Sequence, residues 1–235
     1  VLQGIDLAVP RGEIFTLLGG SGTGKSVLLK HVIGLLRPDR GRVRIEGRDV
    51  TELSERDWVD VRKRIGYVFQ GAALFDSLSV LENVGYALRE HLRPSQAELE
   101  KRVAACLEAV GLAGCENLMP AELSGGMRKR VGVARAIALE PAAILYDEPT
   151  TGLDPANSRR IGQLIVSLRD RLRVTSIVVT HDLGLCFEIS DRVALLRQGR
   201  LVAEGGVAAI RESPLPEVQA FLAGGADLEA DSVWM

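Results

Sequence analysis

One run of eight residues, Gly19-Gly20-Ser21-Gly22-Thr23-Gly24-Lys25-Ser26, limits what this chain can fold into more than any other feature. It fits G-x-x-x-x-G-K-[ST] at every fixed position, a pattern that works only between a strand and a helix. The glycines let successive backbone N–H groups turn toward one phosphate cluster, and the helix behind them adds the positive end of its dipole. Lys25 supplies a point charge for β- and γ-phosphates, and Ser26 a hydroxyl for Mg2+. The flanks agree. Glu13–Leu18 is a short apolar run ending in glycines and reads as a buried strand, and Ser26–Leu36 reads as the helix after it. A merely flexible turn is the plainer account of a Gly-rich loop. Lys and Ser directly after the last Gly, between strand and helix, set it aside.

A second anion site lies further along. Leu123-Ser124-Gly125-Gly126-Met127 is a Ser-Gly-Gly turn opening a helix, with Ser124 as its N-cap, and Ile144-Leu145-Tyr146-Asp147-Glu148 follows downstream. A chain with two such sites but one Lys-bearing loop uses them on two different ATP molecules. That predicts a homodimer with ATP sandwiched between chains. Asp147 ends an apolar strand, where open α/β sheets place ligands, and its carboxylate can hold the Mg2+ shell. Pro149 ends the strand, so Glu148 can swing toward the γ-phosphate and act as general base on water. Two solvated carboxylates at a strand end would be the preferred account in isolation; beside a phosphate loop the catalytic one wins. His181 ends another apolar strand and is expected on the same sheet edge, where neutral imidazole can bond to phosphate and orient the water. Gln70, also at a strand end, can reach Mg2+ or the attacking water through its amide. His31 and His91 have no such context.

Composition narrows the class. The chain has 235 residues, 46% of them hydrophobic and 26% charged, with a net charge of −2 and a pI near 6.0. No basic field advertises nucleic acid or an anionic membrane. The longest apolar runs are far too short to span a bilayer, and no signal peptide opens the sequence. Cys106, Cys115 and Cys186 show no metal spacing and read as buried or inert thiols in a reducing compartment.

The fold class expected is α/β, a mixed sheet with flanking helices interrupted by an inserted helical subdomain. Further strands are predicted at Val43–Glu46, Ile65–Phe69, Ala142–Asp147 and Ser176–Thr180, with Val193–Arg197 and Arg200–Ala203 paired as a hairpin. From about Gly71 to Glu140 the pattern is helical. Ser95 and Glu98 form a capping box, and Leu99, Val103, Leu107 and Val110 repeat at helical spacing. The helix opened by Ser124 is expected to run to about Leu139, stopped by Pro141. The core then comprises residues 1–70 and 141–235, and the helical subdomain 71–140. The polar tail ends in Val233 and Trp234; a disordered terminus is the preferred account, and an arm packing on a neighbouring subunit the sharper one.

The order Gly19–Ser26, Gln70, Leu123–Met127, Asp147-Glu148, Gly152-Leu153-Asp154 and His181 resembles that of the nucleotide-binding subunits of ABC transporters. The likeness covers essentially the whole chain. It implies a Walker A loop, Q-loop, signature, Walker B with catalytic Glu, D-loop and switch His, with Asp154 at the nucleotide interface. Met127 departs from the pattern, since many members have Gln there. A narrower likeness rests on Phe69–Leu78, Glu82-Asn83-Val84, Ala87–His91, Leu123–Arg130 and Ala134–Ala138, which look like the ATPases of Mce/Mla-type lipid transport systems. That resemblance implies membrane permease subunits, an envelope or periplasmic lipid-binding protein and a small cytoplasmic regulatory subunit as partners. It also implies a peripheral position on the cytoplasmic face of the inner membrane. In the family an aromatic residue stacks on adenine shortly before the position of Leu2; none stands there in this sequence, and the residue is expected ahead of Val1.

The expected function is ATP hydrolysis driving a lipid permease, with a polar-solute importer as the alternative. DNA-repair cassettes carry long coiled-coil interruptions and translation cassettes come in pairs, and neither feature is present; the balanced charge also argues against nucleic acid. A degenerate nucleotide-binding regulator is opposed by Lys25, Glu148 and His181. The apolar cluster Leu74, Phe75, Leu78, Val80 and Leu81, within 72–93 just after Gln70, is a candidate permease-docking surface, with simple core packing as its rival.

Overall fold

The computed structural model describes residues 1–224, so the tail bearing Val233 and Trp234 lies outside the described residues. In chain order the elements are β1 (Ile14–Leu18), α1 (Lys25–Val32), β2 (Arg44–Ile45), β3 (Arg48–Asp49), α2 (Glu55–Arg62), β4 (Ile65–Val68), α3 (Val80–Leu92), α4 (Gln96–Ala109), α5 (Gly125–Ile137), β5 (Ala143–Asp147), α6 (Pro155–Leu172), β6 (Thr175–Thr180), α7 (Leu183–Ile189), β7 (Arg192–Arg197), β8 (Arg200–Gly205), α8 (Val207–Arg211) and α9 (Pro216–Leu222). A short 3-10 turn, Pro120–Glu122, leads into α5.

Six strands form one sheet in the order β4-β5-β6-β1-β7-β8, and β2 and β3 pair separately. All neighbours in the large sheet are parallel except β7 and β8, the predicted hairpin. β1, β5, β6 and β7 are buried along nearly their whole length, which is why they read as continuous apolar runs rather than as an alternation. The order has a functional consequence. β4, β5, β6 and β1 are consecutive neighbours, so their carboxyl ends share one sheet edge, with adjacent strands about 4.8 Å apart.

One face of the sheet merges with the helices. A single apolar cluster runs from Ile14, Val68, Ile144 and Val178 on the strands to Val84 and Leu88 of α3, Leu99, Val103 and Leu107 of α4, Val131 and Ala134 of α5, and Ile161 and Ile165 of α6. The predicted capping box at Ser95 and Glu98 is present, and Ser79 with Glu82 forms a second one at the start of α3. Asn83, fully buried, ties the loop ahead of α3: its carbonyl accepts from Phe75 N–H at 2.8 Å, and its amide bonds to the Phe75, Leu78 and Ser79 carbonyls. Val80 is fully buried in this core, and Leu74 and Leu81 pack against it. For those three residues the packing account holds. Phe75 is 46% exposed and stacks on the exposed Tyr86, ring centroids 5.0 Å apart.

Most boundaries fall within two residues of expectation, and two differ by more or in kind, for identifiable reasons. α1 stops at Val32 rather than Leu36, because Gly34 turns left-handed (φ 66) and closes the helix, with Leu35 and Leu36 N–H both returning to the Lys30 carbonyl. Arg62 on α2 donates to the Ile33 and Gly34 carbonyls at 2.9 and 3.1 Å, and Trp58 packs so closely that a Cβ at Gly34 would lie 2.1 Å from its ring. The strand expected at Val43–Glu46 shrinks to two residues, since Val43 N–H bonds to the Thr51 hydroxyl and Glu46 itself is left-handed at φ 51. Cys186 is buried, Cys106 and Cys115 half-buried, and all three are free. Burial pushes the Cys106 and Cys186 thiols up to about 11 and about 12, which leaves them inert at neutral pH.

Candidate functional site

The phosphate loop bends between the end of β1 and the start of α1, with Gly22 and Gly24 left-handed at φ 78 and 108. Gly19 is required by crowding rather than by dihedral: a Cβ there would lie 2.7 Å from the Leu196 carbonyl oxygen and 2.8 Å from Thr23 Oγ1. Ser21 is exposed, and the Thr23 hydroxyl donates to the Gly20 carbonyl at 2.9 Å. Lys25 opens α1 and is buried. Its ammonium donates to the Gly19 and Gly20 carbonyls at 2.8 and 2.7 Å, and it lies 3.2 Å from Glu148 Oε1.

Glu148 is the first residue past β5 and adopts φ 48, a left-handed backbone that costs a residue with a Cβ roughly 1–2 kcal/mol. The turn brings its carboxylate back over the strand ends, where it is 8% exposed. There Oε2 accepts from the Thr180 hydroxyl at 3.3 Å and lies 2.9 Å from His181 Nδ1. A carboxylate oxygen there can accept from Nδ1–H, and the His181 side chain is otherwise 56% exposed. Glu148 is thus gripped by Lys25 from β1's loop, by Thr180 at the end of β6 and by His181 just past it.

Asp147 forms a second node. Its Oδ1 accepts from the Ser26 hydroxyl at 2.8 Å and its Oδ2 from the Tyr67 phenol at 3.0 Å. Burial, reinforced by the carboxylate beside it, pushes the Tyr67 phenol above its ordinary value, so it stays a donor. Tyr67 and Thr180 escaped the sequence reading. Each lies on a strand whose neighbour carries the carboxylate it bonds, and only the strand order reveals that.

The remaining expected residues lie apart from this knot. Gln70 stands in the turn after β4; it is exposed, and its backbone carbonyl accepts from the Lys129 ammonium. Ser124 caps α5 as predicted, its hydroxyl accepting from Met127 N–H at 3.2 Å. Ser124 and Gly125 are exposed, so the helix N-terminus opens to the surface. Gly126 faces the start of α6, where an added Cβ would lie 3.3 Å from the Asn157 side chain. Asp154 caps α6, accepting from Ala156 and Asn157 N–H at 2.9 and 3.0 Å. The Asn157 backbone and side chain together hold its carboxyl below the usual range.

This arrangement can hold a polyanion and activate a water beside it. Known proteins decide the family. The family model described as ABC transporter matches residues 2–151. The chain belongs to the ABC transporter family. The phosphate loop, the Ser124 turn and Asp147-Glu148 all fall within the matched residues, and solved cassettes share the fold over most of the chain. One, a dimeric ATP-binding cassette in a post-hydrolysis state bound to ADP and Pi, superposes with a TM-score of 0.81 at 34% identity, covering 88% of this chain and 90% of the other. CbiO1 of Clostridium perfringens, part of the ABC transporter complex CbiONQ, gives a TM-score of 0.82 at 31% identity over 94% of this chain and 92% of the other. In sequence, the intermembrane phospholipid transport ATP-binding protein MlaF of Escherichia coli is 42% identical over 97% of this cassette and 84% of its own length. The Probable ribonucleotide transport ATP-binding protein mkl of Mycobacterium leprae is 41% identical over 95% of this cassette, which spans 65% of that relative's length. Among the described residues no helix is long and apolar enough to cross a membrane.

Proposed function

We propose that this chain is the ATP-hydrolysing subunit of a transporter that moves phospholipid or a related lipid across the cell envelope. The observation that carries the ATPase reading is the knot at the sheet edge, where Lys25, Thr180 and His181 converge on Glu148 and Ser26 and Tyr67 on Asp147. In it, Gly19–Gly24 wrap the phosphates and Lys25 binds them, exchanging the Gly19 and Gly20 carbonyls for phosphate oxygens. Glu148 accepts a proton from the attacking water while His181 and Thr180 hold its carboxylate in line. Gln70, exposed in the turn after β4, would offer its amide to the attacking water or to Mg2+ when they are bound.

A hydroxyl and a carboxylate in contact are hard oxygen donors of the type Mg2+ prefers, so Ser26 and Asp147 fit that ion. Among the described residues no group of three or more His, Cys, Asp and Glu could hold a metal by itself. When bound, Mg2+ neutralises charge on the phosphates. Tyr67 orients Asp147 for it. Tyr67→Phe should raise the Mg2+ concentration for half-maximal turnover by about 10- to 100-fold, the usual effect of losing an outer-shell partner. A magnesium titration with unchanged midpoint would remove Tyr67 from the site.

We take the functional unit to be a head-to-tail homodimer at the cytoplasmic face of the inner membrane. Each nucleotide lies between the phosphate loop of one chain and Ser124–Gly126 of the other, with Asp154 near the shared interface. Residues 71–140 act as the helical subdomain that contacts permease subunits, Phe75 and Tyr86 offering exposed apolar surface for that contact. A small regulatory subunit and an envelope lipid-binding protein complete the proposed assembly. The lipid reading rests on the relative named for intermembrane phospholipid transport, which this chain matches over 84% of its length. A polar-solute importer, the other reading weighed, is not favoured: the mycobacterial relative named for probable ribonucleotide transport is covered over 65% of its length, against 84% for the phospholipid-transport relative.

The test is direct. A tagged chain purified from its own membranes should bring membrane-spanning subunits and phospholipid with it, and the complex should hydrolyse ATP. Lys25→Ala removes a charge-assisted contact worth about 1.5–3 kcal/mol, so ATP affinity should fall roughly 10- to 100-fold. Undiminished ATP binding by a folded Lys25→Ala variant would overturn the assignment of the loop.

A further inference from the structure

The loop after β4 has an unusual backbone and an unusual pair of anchors. Ala72 and Ala73 are both left-handed, at φ 62 and 49, a region that residues with a Cβ rarely visit. Two successive such residues persist only where the surroundings hold them. What holds them is one face of α5. The Arg135 guanidinium spreads its fork over the loop, donating to the Ala73 and Ala72 carbonyls, both at 2.6 Å. Lys129 donates to the Gln70 carbonyl and reaches the Glu148 carbonyl at 3.4 Å. Between them Gly132 lies against Ala72: a Cβ there would stand 3.4 Å from the Ala72 Cβ, an ordinary packing distance. Residues 129, 132 and 135 are spaced by three, so they line one side of the helix.

Both cations are expensive to place. Lys129 is 7% exposed, and burial lowers the proton affinity of both its ammonium and the Arg135 guanidinium. A buried cation directed at main-chain carbonyls is the arrangement expected when a loop without ladder partners must keep one shape. These contacts also join three segments the proposed chemistry needs. α5 begins at the Ser124 turn, residues 70–73 carry Gln70, and the Glu148 carbonyl belongs to the proposed general base.

We propose that Lys129 and Arg135 are positioning residues that clamp the Gln70 loop to helix α5, so that Gln70 keeps a fixed place relative to both Glu148 and the Ser124–Gly126 turn. The inference rests on the reading of Gln70 as part of the hydrolytic site. Lys129 adds a strut from the same helix to the Glu148 turn. Any displacement of α5 is then transmitted to Gln70 through hydrogen bonds rather than through a slack loop.

The test uses the full chain in its native complex, with Lys129→Met, Lys129→Arg and Arg135→Lys. Lys129→Met keeps the stem and loses the donor, and Arg135→Lys keeps the charge and loses the fork. Amide exchange at residues 70–73 should accelerate about tenfold or more in Lys129→Met and in Arg135→Lys, because local opening governs exchange there. The kcat of Lys129→Met should fall roughly 10- to 100-fold with KM for ATP nearly unchanged, the scale of a small misplacement near reacting atoms. Lys129→Arg should restore both readings. Combined with Gln70→Ala, Arg135→Lys, whose contacts go only to the Ala72 and Ala73 carbonyls, should add little, since both act through one loop. Unchanged exchange at 70–73 in the folded variants overturns the clamp. A kcat loss that adds in full to that of Gln70→Ala overturns its role in placing Gln70. If Gln70→Ala alone hydrolyses ATP normally, the reading of Gln70 has failed, and exchange at 70–73 still decides whether the clamp exists.

Discussion

Glu148→Gln is expected to leave ATP binding intact and to lower turnover by about 10²–10⁴, the usual cost of removing a general base. That corresponds to roughly 3–5 kcal/mol on the barrier. An amide of the same shape cannot take the water's proton, yet it can keep the contacts that place it. Its oxygen still accepts from the Thr180 hydroxyl and from His181 Nδ1, where the carboxylate accepts at 3.3 and 2.9 Å. Losing the charge opposite Lys25 is tolerable, because that ammonium meets phosphate oxygens once ATP is bound and has the Gly19 and Gly20 carbonyls, at 2.8 and 2.7 Å, before it binds. The left-handed backbone at 148 constrains Gln and Glu alike. Binding measured by nucleotide titration and hydrolysis measured by phosphate release should therefore separate. Steady-state hydrolysis near the wild-type rate would remove Glu148 from the role of base.

What was legible in the sequence follows from which forces act locally. The phosphate loop is one contiguous stretch, so its chemistry can be read where it stands. β1, β5, β6 and β7 could be found because strands of a parallel sheet are buried on both faces and appear as unbroken apolar runs. Ser95 and Ser124 announced their helices because capping is a contact between near neighbours. The same rule would have exposed Ser79 with Glu82, which was missed inside a region read only as helical. Gly34 shortened α1 through a left-handed turn that its neighbours Ile33 and Leu35 disguise as helix interior. The contacts that assemble the site were beyond reach for a different reason. Tyr67 meets Asp147, and Lys129 meets the Gln70 and Glu148 carbonyls, only because β4 lies beside β5 and α5 packs on β4. Backbone carbonyls carry no sequence identity, so the partners of Lys129 and Arg135 leave no trace in residue type. Asp154 shows the limit from the other side: the resemblance placed it at the nucleotide, while the fold also employs it as the cap of an 18-residue helix.

Ser124→Arg, introduced alongside Glu148→Gln, should abolish the ATP-held dimer. With ATP and Glu148→Gln alone, sedimentation should show dimer, and with ADP monomer, because the γ-phosphate supplies contacts across the interface that ADP lacks. Ser124 is exposed at the N-terminus of α5, where free N–H groups and the dipole favour an anion from outside the chain. Arginine there brings bulk and a cation to the positive end of a helix and removes the hydroxyl that accepts from Met127 N–H. A residue placed at the centre of such an interface typically controls at least about 2 kcal/mol of affinity, roughly thirtyfold in the dimer constant. Loss of the cap alone costs about 1 kcal/mol of helix stability, so Ser124→Ala serves as the control that separates folding from assembly. Ser124→Ala should fold and dimerise with ATP, more weakly than its parent, while Ser124→Arg should fold and remain monomeric. Dimerisation of Ser124→Arg at the parent's affinity would mean that this turn does not face the partner's nucleotide, and the head-to-tail arrangement would have to be abandoned.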